Sequence, residues 1–116
     1  MIVRRAEMGT FETDSCHDGQ GRLIGFEAFA DYAKQESGFK YLHDDELAPG
    51  ASIGEHRHEG DEEIYFVLEG HGQMIVDGER YPIGPGDVCI TRSGHSHGIL
   101  NSPDGPMRLL VVCANV

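Results

Sequence analysis

The chain has 116 residues, a length that fits one domain with its own hydrophobic core and no second domain. Its formal net charge of −11 argues against nucleic acid or an anionic membrane surface as a partner. A small anionic ligand is still compatible with this charge, because a bound cation inverts the local field. The longest apolar stretches, 64–68 and 109–114, are far shorter than the roughly 20 residues needed to span a bilayer.

Cysteine content and the N-terminus bear on the cellular compartment. The three cysteines, Cys16, Cys89 and Cys113, are odd in number and irregularly spaced, which disfavours a disulfide framework. Residues 1–12 contain two arginines but no following apolar run, so no secretory signal is recognised there. We therefore expect a reducing, cytoplasmic location.

The first 38 residues differ in pattern from the rest of the chain. Residues 1–25 are rich in turn formers and predict irregular structure with one short strand. Apolar residues at helical spacing then predict one short helix over 26–37, ended by Gly38; they are Phe26, Phe29, Ala30 and Ala33. We interpret 1–38 as an N-terminal extension that packs on the remaining domain, 39–116, or on a partner.

From Phe39 onward the apolar period changes to two, as in β-strands. Turn signals such as Asp77-Gly78 and Gly84-Pro85-Gly86 interrupt the chain every few residues. Strands are predicted at 39–44, 51–58, 62–68, 73–76, 79–83, 88–92, 98–100 and 107–113. Many short strands separated by turns indicate an all-β sandwich or barrel.

Histidine and glutamate residues form a candidate metal-binding set. His56 and His58 are two residues apart, so in a strand both imidazoles point to the same face. Glu63 follows across a turn and can return from the neighbouring strand, whereas Glu62 points away if Glu63 points inward. With the distant His97, these residues offer three imidazoles and one carboxylate, a set suited to a first-row divalent metal. A His-x-His pair alone is also typical of exposed histidines beside an acidic turn.

Two glycine-containing motifs give the histidines a context. The first motif consists of Gly50, His56, His58, Glu63 and Gly70, and the second of Gly86, Gly94, His97 and Asn101. In this order and spacing the motifs resemble those of the cupin superfamily, in particular its small single-domain members. Arg92 occupies a position where the family usually has proline, which affects the geometry of a turn. The resemblance covers about 39–113.

The resemblance implies a fold, a cofactor and an assembly. The implied fold is a cupin double-stranded β-helix, a jelly-roll barrel of two antiparallel sheets. One divalent ion per chain (manganese, iron, nickel or zinc) is implied inside it, bound by His56, His58, Glu63 and His97, with two positions left for water or substrate. Members commonly form homodimers.

Several functions are compatible with such a site. The first is a metal-dependent enzyme acting on a small oxygen-rich substrate (a carboxylate, diol or keto acid), for example a dioxygenase, an oxalate decarboxylase-like enzyme or an isomerase. The alternative is a non-catalytic module that binds a metabolite or sugar. In a third interpretation the metal is purely structural.

Four residues are candidates for a catalytic role, each with a simpler explanation. Tyr65 lies on the inward face with Glu63, where it either contacts substrate or fills the barrel. Tyr41 precedes the first motif and borders the cavity or its rim. His95 and Arg92 lie close to a turn, where they either reach the mouth of the cavity or are solvated.

The alternation of side chains along a strand also predicts an apolar outer surface. With Glu63, Tyr65 and Val67 inside, the side chains on the opposite face are Ile64, Phe66 and Leu68. Three large apolar side chains in a row require a cover. A second copy of the chain in a homodimer, or the helix predicted over 26–37, can provide it.

Overall fold

The structure is a computed structural model that describes all 116 residues. It contains ten β-strands and two three-residue 3-10 helices, Arg5–Glu7 and Cys16–Asp18. The strands are β1 (Gly9–Asp14), β2 (Arg22–Ala30), β3 (Phe39–Leu47), β4 (Ser52–Arg57), β5 (Asp61–Glu69), β6 (Gly72–Val76), β7 (Glu79–Ile83), β8 (Val88–Thr91), β9 (Ser96–Asn101) and β10 (Met107–Asn115). Neither of the two short helices could span a lipid bilayer.

The strands form two antiparallel sheets that face each other, as expected for the all-β cupin jelly roll. The larger sheet has the order β1-β2-β3-β10-β5-β8 and the smaller the order β4-β9-β6-β7. Every observed strand pair is antiparallel. From β3 onward every connection except β6–β7 crosses from one sheet to the other, so residues distant in sequence meet in the space between the sheets.

The core lies between the sheets and is filled by the inward residues of both. Leu47, Leu109 and Ile99 are completely buried. In β5 burial alternates as predicted: Tyr65 is 3% exposed, whereas Phe66 is 37% exposed. This two-residue alternation is the expected consequence of one buried sheet face, and it confirms the predicted parity of the strand.

The helix predicted over 26–37 is wrong. Residues 22–30 form strand β2, and the chain then turns before β3. The register between β2 and β3 shifts between Glu27 and Phe29, so Ala28 is an extra residue in a β-bulge. The bulge changes the spacing of the apolar residues Phe26 and Phe29 from two to three. That spacing imitates the period of a helix and explains the error.

The N-terminal residues extend the larger sheet. Strands β1 and β2 pair with each other, and β2 pairs with β3, so the first 38 residues continue the barrel wall of the same chain. The sequence had predicted a single short strand before residue 26. Between β1 and β2 the chain makes a tight turn in which Ser15, His17 and Asp18 have positive φ angles.

Gly54 allows this turn to pack on the smaller sheet. A Cβ atom at Gly54 would lie 1.9 Å from the carbonyl oxygen of His17 and 2.9 Å from the nitrogen of Gly19. Any other residue would push the turn outward, because real Cβ atoms do not approach backbone atoms so closely. Glycine at this position therefore leaves the space that the turn needs to pack against β4.

Candidate functional site

Four side chains converge between the sheets. The Nε2 atom of His97 lies 3.1 Å from Nε2 of His56 and 3.0 Å from Nε2 of His58. Oε1 of Glu63 lies 3.0 Å from Nε2 of His97 and 3.3 Å from Nε2 of His58. All four potential ligand atoms lie within 4.8 Å of one another. The structure thus brings together the four residues that the sequence selected, which we call the His/Glu cluster.

Strand pairing places these residues. In the smaller sheet the register sets His56 directly opposite His97 on neighbouring strands β4 and β9. His58 follows the end of β4 and is held by backbone hydrogen bonds, its N–H to the carbonyl of His95 and its carbonyl to the N–H of Gly94. Glu63 reaches the cluster from β5 in the opposite sheet.

The second nitrogen of each imidazole has its own partner. Nδ1 of His56 donates to the carbonyl of Gly54 at 2.7 Å, and Nδ1 of His58 donates to the Asp61 carboxylate at 2.8 Å. Nδ1 of His97 lies 2.6 Å from the Thr91 hydroxyl oxygen. These contacts orient the rings with Nε2 toward the common centre, the arrangement in which an imidazole coordinates a metal ion.

The donor set fits a cation. With Nδ1 as donor, the Nε2 atoms of His56 and His58 carry lone pairs, and both lie at hydrogen-bond distance from Nε2 of His97, beside a carboxylate. Oε1 of Glu63 is buried and has no conventional hydrogen-bond partner. Electron-rich atoms packed this closely repel one another unless a cation or a proton lies between them.

The charge state of the cluster supports the same interpretation. Burial lowers the pKa of His56 to about 4, so this imidazole is neutral at pH 7. Burial favours the neutral form of Glu63, but the close contacts with His58 and His97 and the hydrogen bond from Tyr41 outweigh it and hold the pKa of Glu63 well below its usual range. The contact with Glu63 raises the pKa of His58. A cation that enters the cluster therefore replaces a proton held near His58 and Glu63.

A cavity of about 180 Å³ opens beside the cluster. His56 and Glu63 form part of its wall, and aromatic and polar side chains form most of the remainder. Strands β1 and β2 and the turn between them contribute Phe11, Thr13, Cys16, His17 and Leu23. The imidazole of His17 stacks on that of His56 with the ring centroids 3.7 Å apart. The N-terminal segment therefore closes one side of the site.

The four candidates for a catalytic role separate into two pairs. Tyr41 and Tyr65 line the cavity; the Tyr41 hydroxyl donates a hydrogen bond to Glu63, and the Tyr65 ring stacks on His97. His95 lies on the surface, where it contacts Asp77, and Arg92 is solvent-exposed beside Glu62. His95 and Arg92 are therefore not brought to the cavity.

Sequence reasoning missed two residues of the cavity wall. It placed His17 only within the turn-rich segment 1–25 and did not predict that this part of the chain would approach His56. It did not select Asp45, which lies on β3 and is only 5% exposed. The available signal was strand parity, because Asp45 has the same parity as Tyr41 and His43.

Comparisons with known proteins agree with this fold. The family model of the cupin domain matches residues 44–113. An oxalate-binding protein of Thermotoga maritima is 36% identical over 117 aligned residues, which cover 97% of this chain and 92% of the relative. The crystal structure of a predicted oxalate decarboxylase from Thermotoga maritima covers all of both chains with a TM-score of 0.90 and 32% identity.

More distant structures share only the fold. The polyketide cyclase RemF of Streptomyces resistomycificus has a TM-score of 0.71 at 24% identity and covers all of this chain and 84% of its own. The KdgF protein of Halomonas sp. has a TM-score of 0.75 at 14% identity and covers all of this chain and 94% of its own. The same architecture therefore accompanies proteins with different names and does not by itself assign an activity.

Proposed function

Because the chain belongs to the cupin family, we propose that it holds one divalent metal ion in the His/Glu cluster and uses it to bind a small oxygen-rich acid. The observation that carries this proposal is the convergence of three imidazole nitrogens and one carboxylate oxygen at the wall of a cavity. Four protein ligands leave positions open on a six-coordinate ion, and a carboxylate is a suitable occupant. Manganese, iron, nickel and zinc all fit this donor set.

Oxalate is the first acid to consider. The relative that aligns with almost the whole chain is named an oxalate-binding protein. The cavity beside the cluster is small and suits a molecule of a few heavy atoms. Diols and keto acids present the same pair of chelating oxygens and form the comparison set.

Thermal unfolding of the metal-loaded protein tests the proposal. We expect oxalate to raise the midpoint temperature of the metal-loaded protein and to leave that of the metal-free protein unchanged, since the ion makes the essential contact. A neutral sugar serves as the control ligand. An equal shift without metal, or no shift with any acid, would contradict the proposal.

Catalysis is a second candidate function. Tyr41 and Tyr65 border the cavity beside the cluster, so two hydroxyl groups lie at the wall where an acid would bind. A metal-dependent decarboxylase would convert oxalate and one proton to formate and carbon dioxide, and a dioxygenase would consume oxygen. Formate release and oxygen uptake by the loaded protein separate these reactions from binding alone. A purely structural metal is indicated if metal removal unfolds the chain and no acid binds.

A second copy of the chain is the proposed partner. The outer apolar face of the larger sheet comprises Ile64, Phe66 and Leu68 of β5 and Val88 and Ile90 of β8, which are all 36% exposed or more. β8 is an edge strand with β5 as its only neighbour. Two copies of a chain with net charge −11 repel each other. An uncharged apolar face is therefore the surface through which they can make contact. This face therefore fits a two-fold homodimer.

We expect Ile90→Glu to convert the dimer into a monomer of 12.7 kDa. Ile90 is 61% exposed, so the change places a charge in the interface without disturbing the core. Light scattering coupled to size-exclusion chromatography measures the mass. Tyr81→Glu, on the exposed edge strand β7 of the smaller sheet, is the matched control and leaves the dimer intact. A dimeric Ile90→Glu variant, or a monomeric wild type, would contradict the proposed dimer interface.

The cytoplasm remains the proposed location. All three cysteines are free thiols in the structure, and Cys113 is buried. Free thiols persist in reducing compartments.

A further inference from the structure

Asp45 is a buried carboxyl group without a hydrogen-bond partner. It lies on β3, lines the same cavity as His56 and Glu63, and is 5% exposed. Its Oδ1 atom is buried and accepts no hydrogen bond. The nearest imidazole nitrogen, Nδ1 of His43, lies 3.9 Å from Oδ1, which is beyond hydrogen-bond distance. Buried polar groups nearly always have partners, so an orphaned carboxyl at a cavity wall indicates a missing ligand.

The neighbouring strand makes room for this carboxyl. Gly25 of β2 is paired with Asp45, and a Cβ atom there would lie 2.6 Å from Oδ1 of Asp45 and 2.1 Å from the ring of Phe11. A side chain at residue 25 would therefore displace both groups. The absence of a side chain at Gly25 leaves room for both Asp45 and the Phe11 ring in the cavity wall.

Asp45 and Glu63 occupy different levels of the larger sheet. Cys113 of β10 pairs with Tyr41 on one side and Glu63 on the other, whereas Asp45 pairs with Leu109. The two levels are four residues apart along β10. A ligand bound at the His/Glu cluster can therefore extend along the cavity toward Asp45.

The protonation of Asp45 follows from its surroundings. Burial, reinforced by the negative charges of Glu63 and Asp44, raises the pKa of Asp45 to about 7. The other charged groups nearby are already engaged: Glu27 of β2 contacts His43, and Asp44 faces outward to Arg5 and Arg108. A cation in the cluster would offset the charge of Glu63, but burial raises the pKa of Asp45 with or without the ion. An incoming dianion adds negative charge and favours the protonated acid further.

We propose that Asp45, as a neutral acid, donates a hydrogen bond to the second carboxylate of a short dicarboxylate whose first carboxylate is bound at the His/Glu cluster. Asp45 is then a specificity-determining residue that selects dicarboxylates over monocarboxylates. The inference rests on the proposed function, because it assumes an acid bound through a metal ion. It adds the group that recognises the other end of that acid.

The pH dependence has a definite sign. Below pH 7 the carboxyl is protonated and can donate to the ligand. Above pH 7 it is ionised, donates no hydrogen bond and repels the dianion. We therefore expect the dissociation constant of a dicarboxylate to rise up to about tenfold for each pH unit above 7, since one proton is linked to binding.

The test compares wild type, Asp45→Asn and Asp45→Ala, each loaded with manganese and checked for metal content. Isothermal titration at pH 6 and pH 8 measures the binding of oxalate, malonate and acetate. Asparagine keeps a neutral donor, so Asp45→Asn should retain dicarboxylate binding at pH 8 and show no dependence on pH. Asp45→Ala should bind dicarboxylates about tenfold or more weakly than wild type at pH 6. Acetate binding should be equal in all three proteins.

Glu46→Gln provides the matched control, because Glu46 is the adjacent acid on β3 but is exposed on the outer face. It should bind as wild type does. If both Asp45 variants bind dicarboxylates with the affinity and pH dependence of wild type, the assignment of Asp45 is overturned while the proposed function stands. If the manganese-loaded wild type binds no acid at all, the proposed function and this inference both fail.

Discussion

Replacing His58 or Glu63 by alanine is expected to reduce the metal content of the purified protein from about one ion per chain to almost none. Each side chain supplies one of four closely packed donor atoms, and both are nearly completely buried. Removing one leaves three donors and an opening in the coordination shell. Elemental analysis of protein purified without added chelator measures the result.

His95→Ala is the matched control for this experiment. His95 lies two residues before His97, but its imidazole contacts Asp77 on the surface. The variant should contain as much metal as the wild type. Unchanged metal content in His58→Ala or Glu63→Ala would show that the ion is bound elsewhere on this acidic chain, and the His/Glu cluster would lose its assigned role.

Adding metal to the metal-free protein should raise its unfolding temperature by about 10 °C when the free ion is at about 100 times its dissociation constant. Binding to the folded state alone at that concentration contributes about 2.7 kcal/mol. In a domain of this size each kcal/mol corresponds to a few degrees. The structural reason is local: the ion relieves the repulsion among the lone pairs of His56, His58 and His97 beside Glu63.

Calorimetry on matched samples measures this second effect. The Glu63→Ala variant should show almost no shift with metal, and His95→Ala should shift as the wild type does. Equal shifts in Glu63→Ala and wild type would mean that the stabilising ion binds outside the cluster. Unfolding of the metal-free wild type at room temperature would favour the structural interpretation of the metal.

The sequence predicted the part of the fold in which local pattern and global structure agree. From β3 to β10 the two-residue alternation and the turn residues located nearly every strand within a few residues. Strand parity correctly placed Tyr65 inside and Phe66 outside. The four residues of the His/Glu cluster were selected because His56 and His58 share a strand face and the glycine motifs provided the spacing to His97.

The rest depended on information that is not local. Strand β2 was mistaken for a helix because a bulge near Ala28 alters the apolar period, and a bulge is determined by the partner strand. The contact between His17 and His56 depends on Gly54, which follows His17 by 37 residues in the sequence. Asp45 shares its strand parity with Tyr41, but its burial at the cavity depends on the pairing of β3 with β2 and β10.

The His/Glu cluster and one side of the cavity come from different parts of the chain, and this affects how the sequence can diverge during evolution. The four residues of the His/Glu cluster come from residue 56 onward, whereas Phe11, Thr13, Cys16, His17 and Leu23 build one side of the cavity from the first 25 residues. The family match, 44–113, contains all of the former and none of the latter. Substitutions near the N-terminus can therefore change which molecules enter the cavity while the four residues of the His/Glu cluster are retained. Ligand preference can therefore evolve through the first 25 residues without a change in the residues of the His/Glu cluster.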